Sequence, residues 1–451
     1  MSVMAKASPV SRPNLLILAV ALGVILNPLN TTMITVALPE IRKEFGLTSS
    51  DISWLIASYF MVSAVFLPLI GKLSDHYGRK KIFLLGLILV AISSITAPLS
   101  PNMLFLLGMR TIQAIGTSAL YPAGIGIVRN HIDKNQNRVI GTLSIFATTS
   151  AAFGPTISGL LIQYGGWPII FYVNFPVIIL SAILAIVFIP SDGKIGKGDF
   201  KWDGIGIILF SSLIFLWMYF FLQLEYGFSL WTFIGSAAIT VLFFLYENRK
   251  AEPFIDVNFL RKNLNISFVY IQYIMTTVIF FALLLSMPTY LQSVIMLDTK
   301  TTGLMMLSLS IFGMIVTPIA TRWMEAAGFR FPILSGVTVG VIGVLILLII
   351  GQNSPLYWIV IGLAVIGTSN GTINIGLQNL LYSFVSKAES GLAAGLLMTS
   401  RFIGNILASS LFGVTFAKGI TDHSQNTMII VLLVVSIVLF PGMIFITKIK
   451  R

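Results

Sequence analysis

Long apolar runs separated by short polar segments dominate the 451-residue chain. About fourteen of these runs have roughly 17 to 25 residues, the length that a helix needs to cross a hydrocarbon layer ~30 Å thick. Transmembrane β-strands would be only about ten residues long and would alternate in polarity, so these runs predict helices. The predicted spans lie at residues 14–36, 51–70, 82–98, 102–127, 140–163, 168–189, 204–224, 229–246, 266–291, 302–320, 331–350, 356–377, 390–416 and 427–447.

Composition and charge distribution support the same interpretation. Hydrophobic residues make up 56% of the chain and charged residues only 10%, whereas soluble domains carry about 25% charged residues. With the N-terminus inside, the inner segments hold 22 of the 28 Lys and Arg residues, the outer loops hold four, and two lie within spans. Cytoplasmic loops carry such an excess of positive charge. We therefore expect a multi-pass protein of the lipid bilayer with both termini in the cytoplasm.

The net charge of +12 follows from this bias toward the inner leaflet, so no nucleic-acid partner is expected. The chain has no cysteine, which excludes disulfides, thiolate metal sites and a cysteine nucleophile. Its three histidines, His76, His131 and His423, fall in loops far apart in sequence, so neither a membrane enzyme nor a metal site is expected. The first span lacks a small-residue cleavage site and is expected to be a retained helix rather than a signal peptide.

A short, densely charged loop, GKLSDHYGRKK (71–81), separates the second and third spans. Gly71 and Gly78 supply the backbone freedom for a tight return between helices. Asp75 can interact with helix N-termini and with a neighbouring arginine such as Arg79. An ionic latch that forms in one state and breaks in the other is an element that switching requires. The alternative is a solvated loop that only sets topology.

A shift of 250 residues reveals an internal repeat. It superposes Pro68 on Pro318, Lys72 on Arg322, Asp75 on Glu325, Gly78 on Gly328, Lys80 on Arg330 and Gly141 on Gly391. Two parallel repeats about an axis along the membrane normal give this pattern. Six spans in each repeat leave the seventh and eighth spans as an inserted pair. The predicted domains are therefore an N-terminal six-helix bundle (1–190), a two-helix linker with inner loops (191–264) and a C-terminal six-helix bundle (265–451).

Further motifs accompany the charged loop. They are LNTTMITVALP (29–39) in the first span, Arg110, Gln113 and Gly116 with R-x-x-Q-x-x-G spacing in the fourth, Gly154, Pro155 and Gly159 in the fifth, and EPFID (252–256) with FLR (259–261) after the eighth. Over essentially the whole chain these motifs resemble those of the major facilitator superfamily. The resemblance is strongest to its fourteen-helix bacterial drug:proton antiporters.

The resemblance implies an all-α major facilitator fold, with two six-helix bundles plus two inserted linker helices. It implies a multidrug efflux transporter of the bacterial cytoplasmic membrane that exchanges hydrophobic or amphiphilic drugs and dyes for protons by alternating access. The proton gradient would be the energy source, no cofactor is implied, and a monomer suffices. By resemblance, Gly71, Asp75, Gly78 and Arg79 belong to the inner gate. The group Gly154, Pro155 and Gly159 matches the antiporter motif of exporters.

Arg110 lies about eight residues from the outer edge of its span, hence ~12 Å deep at 1.5 Å per residue. A charge at this depth is costly and points to function. The resemblance implies a part in proton relay. The alternative is an arginine bound to backbone carbonyls that holds helix four against its neighbours. In the fifth span, Gly154 and Pro155 interrupt a helical hydrogen bond among small residues, which indicates either close packing alone or a hinge and seal.

Asn30 stands where the family usually places an aspartate in the first span, and an amide does not titrate. All sixteen Asp and Glu residues fall in loops or near span ends. A carboxylate-borne proton cycle then needs an acid near a rim, and Glu40, Asp51 and Glu225 are the outer candidates. We hypothesise that Arg110, Glu40 and Asp51 form the exchange network. Ordinary surface ion pairs are the alternative for Glu40 and Asp51.

The missing midspan acid also removes a counter-ion for cationic drugs, which favours neutral or zwitterionic compounds or cation–π contacts. Residues of comparable depth are the candidate lining of a substrate cavity, with helix packing or lipid contact as the alternative for each: Asn27, Asn30, Thr31, Ile34, Tyr59, Gln113, Tyr273, Phe280, Phe281 and Arg401. A proton-coupled exporter or importer of a specific metabolite is the alternative function. A transporter-like sensor would bind ligand without flux.

Overall fold

The computed structural model describes residues 12–132, 136–191, 203–224, 227–250, 253–255, 257–351, 354–385 and 390–448. These residues form helices and short connections, and no strand occurs among them. The helices are α1 (Pro13–Phe45), α2 (Ser49–Tyr77), α3 (Arg79–Thr96), α4 (Met103–His131), α5 (Gln136–Gly165), α6 (Ile169–Tyr172), α7 (Asn174–Phe188), α8 (Gly204–Gln223), α9 (Leu230–Glu247), α10 (Val257–Lys262), α11 (Leu264–Ser293), α12 (Thr299–Ala327), α13 (Arg330–Leu348), α14 (Leu356–Phe384), α15 (Ser390–Thr415) and α16 (Asp422–Lys448).

Within the described residues, 13 helical segments are long and apolar enough to span a membrane. The helices α6 and α7 together form one of these segments, Ile169–Phe188. The 30-residue helix α5 adds a further helix of spanning length, whereas α10 has only 6 residues. The sequence prediction of an all-α membrane protein with about fourteen spans is therefore confirmed.

Several helices continue past the apolar run that predicts them. The first predicted span ends at residue 36, but α1 continues to Phe45 and carries Glu40 on a helix. The helix α2 begins with a reciprocal cap, in which the Thr48 N–H donates to Asp51 Oδ2 (2.9 Å) and the Asp51 N–H donates to Thr48 Oγ1 (3.1 Å). Such caps satisfy N–H groups that a helix start leaves unpaired.

Glycine supplies a positive φ angle at the charged loop and at its repeat. Gly78, between α2 and α3, has φ 108°, and Gly328, between α12 and α13, has φ 76°. Residues with a side chain rarely adopt positive φ. The sequence repeat of glycine at these two positions therefore coincides with a positive φ angle at both.

Contacts divide the chain into two compact units. Unit 1 comprises Met1–Ala37 and Val62–Lys201, and unit 2 comprises Leu38–Met61 and Trp202–Arg451. The inserted helices α8 and α9 belong to unit 2, where they pack against each other and α8 packs against α15. The division into a separate linker domain at 191–264 stays a prediction.

Each unit has its own apolar core, because the helices bury one face against one another within a unit. In unit 1 the core includes Val20, Phe83 and Leu120 from α1, α3 and α4. In unit 2 it includes Val269, Val337 and Leu377 from α11, α13 and α14.

In unit 2, α12 and α14 approach so closely that no side chain fits between their backbones. A Cβ atom added to Gly367 would lie 2.1 Å from the Leu309 carbonyl oxygen. One added to Gly371 would lie 2.2 Å from the Gly313 carbonyl oxygen. Small residues permit such close helix contacts within a membrane.

Substitution of Gly367 by alanine is expected to destabilise unit 2. Overpacking typically costs about 1–3 kcal/mol, and a backbone carbonyl cannot rotate away as a side chain can, so we expect the upper part of that range. Thermal unfolding of the purified protein in detergent measures the effect. The control is Gly395→Ala in α15, where an added Cβ meets nothing within 4 Å. Equal unfolding midpoints for the two variants would contradict the backbone contact.

Candidate functional site

Unit 1 contains a buried arginine. Arg110, on α4, is only 2% exposed. Its Nη1 donates to Gln113 Oε1 one turn along the helix (2.6 Å) and reaches the Asn30 carbonyl oxygen of α1 (3.5 Å). Both acceptors are uncharged oxygens. A hydrogen bond to a charged group contributes roughly twice as much as one between neutral groups. The contact between Arg110 and the Asn30 carbonyl oxygen links α4 to α1.

Neutral amide side chains extend this network across four helices. Gln113 Nε2 donates to Asn30 Oδ1 (3.0 Å), and Asn30 Nδ2 donates to Asn174 Oδ1 on α7 (3.0 Å). Asn174 Nδ2 lies 2.9 Å from Asn30 Oδ1 and 3.2 Å from Ser94 Oγ on α3. We call Asn30, Ser94, Arg110, Gln113 and Asn174 the amide network. All five members are buried.

The amide network fixes the orientation of α1, α3, α4 and α7 and holds a positive charge in a membrane-embedded core. Amides and guanidinium groups do not exchange protons in the physiological range. Asn30 therefore serves as a hydrogen-bond bridge at a position where an acid would titrate. Any proton carried on a carboxylate must bind elsewhere in the protein.

Sequence reasoning found Asn30, Arg110 and Gln113 but missed Asn174 and Ser94. Asn174 is the first residue of α7, after the break that separates α6 from α7 at Val173. A single amide within the apolar run 168–189 is the sequence signal that could have identified it. Nothing in the local sequence of Ser94 distinguishes it from other serines of the spans.

Hydroxyl and glycine residues of α5 form a seam with α1. A Cβ atom added to Gly154 would lie 1.9 Å from Thr32 Oγ1. One turn further along α5, Ser158 Oγ donates to the Met33 carbonyl oxygen (2.7 Å). Pro155 and Gly159 are also buried in this part of α5. The predicted antiporter motif is thus the surface through which α5 contacts α1.

Gly116, the third residue of the R-x-x-Q-x-x-G motif, allows close packing between helices. A Cβ atom added to Gly116 on α4 would lie 2.8 Å from the Gly86 carbonyl oxygen on α3, and the reverse distance is also 2.8 Å. Glycine at both positions lets α3 and α4 approach closely.

In the predicted inner gate, Arg79 connects the start of α3 to α4. Its Nη1 donates to the Gly126 carbonyl oxygen and to Asn130 Oδ1 (2.7 Å). Gly71 lies near Pro122, since a Cβ atom added to it would be 3.8 Å from the proline side chain. The side chain of Asp75 lies outside the described residues. A latch between Asp75 and an arginine stays a prediction.

The predicted proton-exchange residues are distributed over both units. Arg110 belongs to unit 1, whereas Glu40 on α1 and Asp51 on α2 fall in segments of unit 2. Asp51 is engaged in the local cap of α2, because Thr48 Oγ1 also donates to its Oδ2 (2.7 Å). Glu225 lies outside the described residues. Their role in proton exchange stays a prediction.

The other candidates for a substrate cavity in unit 1 are Asn27, Thr31 and Ile34, and each has a hydrogen bond within the unit or a buried side chain. Asn27 Nδ2 donates to Thr117 Oγ1 (3.2 Å), and Thr31 Oγ1 donates to the Pro28 carbonyl oxygen (2.9 Å). Ile34 is 1% exposed. Only Asn27 among these three is half-buried rather than buried.

In unit 2 the aromatic candidates pack around Phe60. Its ring lies 5.0 Å from that of Phe281 and 5.8 Å from that of Tyr59, centroid to centroid. Tyr273 belongs to the apolar core of the unit. Arg401 on α15 is half-buried. The last aromatic candidate, Phe280, lines a small cavity between α11, α13, α14 and α16.

Comparisons with known proteins agree with this architecture. A family model described as the Major Facilitator Superfamily matches residues 20–409. The uncharacterized MFS-type transporter YwoD of Bacillus subtilis (strain 168) is 38% identical over 420 residues, which cover 92% of this chain and 93% of the relative. The multidrug resistance protein Stp of Mycobacterium tuberculosis (strain CDC 1551 / Oshkosh) is 28% identical over 415 residues, 89% of this chain and 76% of the relative.

Two further similarities bear on substrate and fold. The riboflavin transporter RibZ of Clostridioides difficile (strain 630) is 26% identical over 418 residues, 91% of this chain and 90% of the relative. Among solved structures, a bacterial homolog of the human lysosomal transporter Spinster in an inward-facing, unoccupied conformation matches with a TM-score of 0.72. That match covers 97% of this chain and 98% of the other at 15% identity, so it supports the fold alone.

The chain belongs to the major facilitator superfamily. It is a multi-pass membrane transporter of small molecules, and the membership indicates a transporter rather than an enzyme.

Proposed function

We propose that the chain exports hydrophobic or amphiphilic drugs and dyes across the bacterial cytoplasmic membrane in exchange for protons, by alternating access and as a monomer. The proton gradient supplies the energy, and both termini lie in the cytoplasm. The contact between α5 and α1 is the observation that supports export rather than import, because the resemblance links the Gly154-Pro155 motif at this contact to exporters. The similarity to the multidrug resistance protein Stp over 89% of the chain supports drugs as substrates.

A proton-coupled transporter of one specific metabolite is the second candidate. The similarity to the riboflavin transporter RibZ over 91% of the chain favours it. Asn30 favours it too, since an amide at this position offers no counter-ion for varied cations. The two functions differ in breadth of substrate. A panel of structurally unrelated dyes and drugs, tested for export from reconstituted vesicles, distinguishes them: export of several supports the drug pump, and export of none supports the metabolite transporter.

Within this proposal, Glu40 and Asp51 are expected to carry the exchanged proton near the outer rim. Glu40→Gln or Asp51→Asn removes a titratable group and should abolish drug-stimulated proton movement, measured with a pH-sensitive dye inside vesicles. Unchanged proton movement in both variants would overturn this assignment.

Asp298→Asn is the matched control for these variants. Asp298 caps α12, and hydrogen bonds from the Thr301 hydroxyl and the Thr301 N–H (3.1 Å) lower the pKa of its carboxyl group. Asp51 caps α2 in the same way, so Asp298→Asn and Asp51→Asn remove the same kind of capping carboxylate, and only Asp51 belongs to the proposed exchange network. Asparagine caps helices as well as aspartate does, so proton movement should persist in this variant.

A further inference from the structure

The first part of α2 belongs to unit 2, although the rest of the helix does not. The helix runs from Ser49 to Tyr77, and its residues up to Met61 fall in unit 2, whereas those from Val62 fall in unit 1. We call residues 49–61 the outer segment, because the proposed topology places them on the outer side of the membrane. A helix that two compact units share must bend or leave one of them when the units move.

Two serine hydroxyl groups fasten the outer segment to α15. Ser49 Oγ donates to the Phe416 carbonyl oxygen (2.7 Å), and Ser53 Oγ donates to the Ser409 carbonyl oxygen (2.7 Å). Both donor serines are buried, at 1% and 0% exposure. The Ser53 hydroxyl group also lies 3.1 Å from the Ser49 carbonyl oxygen of its own helix, so it keeps an acceptor when it leaves α15. The net contribution of such neutral hydrogen bonds is modest, so this contact can break and form again.

Aromatic side chains continue this contact further along the two helices. The ring of Phe60 lies 6.0 Å from that of Phe402 on α15 and 5.0 Å from that of Phe281 on α11, centroid to centroid. Phe60 follows Ser53 by seven residues on α2, and Phe402 precedes Ser409 by seven residues on α15. Seven residues make about two helical turns, so the contacts lie on one face of each helix. The outer segment and α15 are therefore an antiparallel pair.

The inserted helix α8 supplies a further contact with the outer segment. The ring of the half-buried Trp54 lies 5.6 Å from that of Phe215 on α8. Phe215 in turn stacks on Tyr219, one turn along α8, with the rings 6.5 Å apart and inclined by 8°. The helix α8 also packs against α15. Aromatic pairs contribute more than their buried area alone, so α8 and α15 together form the surface on which the outer segment lies.

We propose that the inserted helix α8 holds the outer segment through the contact between Trp54 and Phe215, and that each transport cycle releases the outer segment from α8 and α15. The inference rests on the proposed function, because alternating access requires an opening on the outer side. It gives the inserted pair a role in transport beyond that of a linker. The helix α9 supports α8 in this role, since Trp217 Nε1 on α8 donates to Thr240 Oγ1 on α9 (2.9 Å).

Cross-linking tests whether the outer segment must leave α8, because the chain contains no cysteine and a pair can be introduced. Trp54→Cys combined with Phe215→Cys, joined by a short reducible cross-linker, should lose dye efflux from reconstituted vesicles, and a reducing agent should restore it. Trp217→Cys combined with Thr240→Cys joins α8 to α9 instead and should keep its efflux after the same treatment. Each double variant is compared with itself before treatment. Full efflux with α2 joined to α8 would overturn the proposal.

Cysteine labelling tests the same contact without a transported dye, so its result decides the inference even if the proposed drug export is wrong. Ser409→Cys is the reporter. Ser409 is 0% exposed, and its hydroxyl group has no hydrogen-bond partner among the described residues. The substitution also keeps the carbonyl oxygen that accepts from Ser53. A membrane-impermeant methanethiosulfonate, added outside intact cells, should reach this cysteine only when the outer segment is released.

Phe215→Ala should speed this labelling about two- to tenfold, the range that corresponds to the loss of one aromatic pair. Phe244→Ala on α9 is the matched control, because Phe244 and Phe215 are equally exposed, at 45%, and the ring of Phe244 contacts that of Phe243 on its own helix. It should leave the rate unchanged. If Ser409→Cys does not fold, Ser53→Cys reports from α2. Equal labelling rates in the two alanine variants would overturn the proposal.

Discussion

Replacement of Gly154 by alanine is expected to remove transport and to lower the stability of unit 1. The added Cβ would lie 1.9 Å from Thr32 Oγ1 and 3.3 Å from the Met33 backbone nitrogen. Thr32 could rotate away only by giving up its hydrogen bond to the Pro28 carbonyl oxygen (2.9 Å). Its own Cβ would still lie 2.9 Å from the new atom. Overpacking of this kind costs about 1–3 kcal/mol, and α5 must move away from α1 to relieve it.

A second substitution distinguishes the steric clash with Thr32 from a general intolerance of α5 to substitution. Thr32→Gly removes both atoms that the new methyl group would meet, so Gly154→Ala combined with Thr32→Gly should regain much of the thermal midpoint and of the dye flux. The double variant is compared with Thr32→Gly alone, because glycine within a helix costs about 1 kcal/mol by itself. Gly108→Ala on α4, with nothing within 4 Å of the added atom, should behave as wild type. Wild-type flux in Gly154→Ala would show that the seam is not required.

Replacement of Arg110 by methionine is expected to reduce transport at least about tenfold in protein that still folds. Methionine keeps most of the buried stem but removes the charge and the hydrogen bonds to Gln113 and Asn30. Hydrogen bonds to a charged group contribute about 1.5–3 kcal/mol, and about 1.4 kcal/mol in a barrier is tenfold in rate. Dye flux in vesicles and thermal unfolding in detergent are measured on the same preparation.

Gln113→Met distinguishes a role of the charge from a role in packing. It removes the acceptor of the 2.6 Å hydrogen bond and the link to Asn30 Oδ1 while it keeps the arginine. If the amide network only holds helices together, both variants should lose stability and flux in parallel. We expect Arg110→Met to lose far more flux than Gln113→Met at a similar loss of thermal midpoint. Parallel losses would contradict a functional role of the charge.

The spans and the repeat could be predicted from the sequence because they depend on local properties. An apolar run of sufficient length must be helical within a bilayer, so the number of spans followed directly. The ends of the helices could not be predicted in this way. The apolar run ends at residue 36, but a helix can continue through polar residues outside the bilayer. The last turn of α1 contains charged residues and still forms helix as far as Phe45.

The partners of the candidate residues could be predicted only in part. Arg110 and Gln113 are neighbours on one helix, so their contact follows from helical spacing. The hydrogen bond between Asn30 and Asn174 joins residues 144 positions apart, and no local pattern indicates it. The cavity in unit 2 was not predicted either, because a void depends on how side chains of four helices fail to meet. Its lining residue Phe280 entered the sequence analysis only as an aromatic residue at a suitable depth.

Dye efflux from reconstituted vesicles under an imposed pH gradient tests the central claim most directly. The gradient is set so that protons flow opposite to the dye, and the same vesicles are measured without a gradient and with an uncoupler. We expect the gradient to accelerate efflux by the wild-type protein, the uncoupler to abolish the acceleration, and Arg110→Met to show none. Efflux at one rate under all three conditions would contradict proton-driven export.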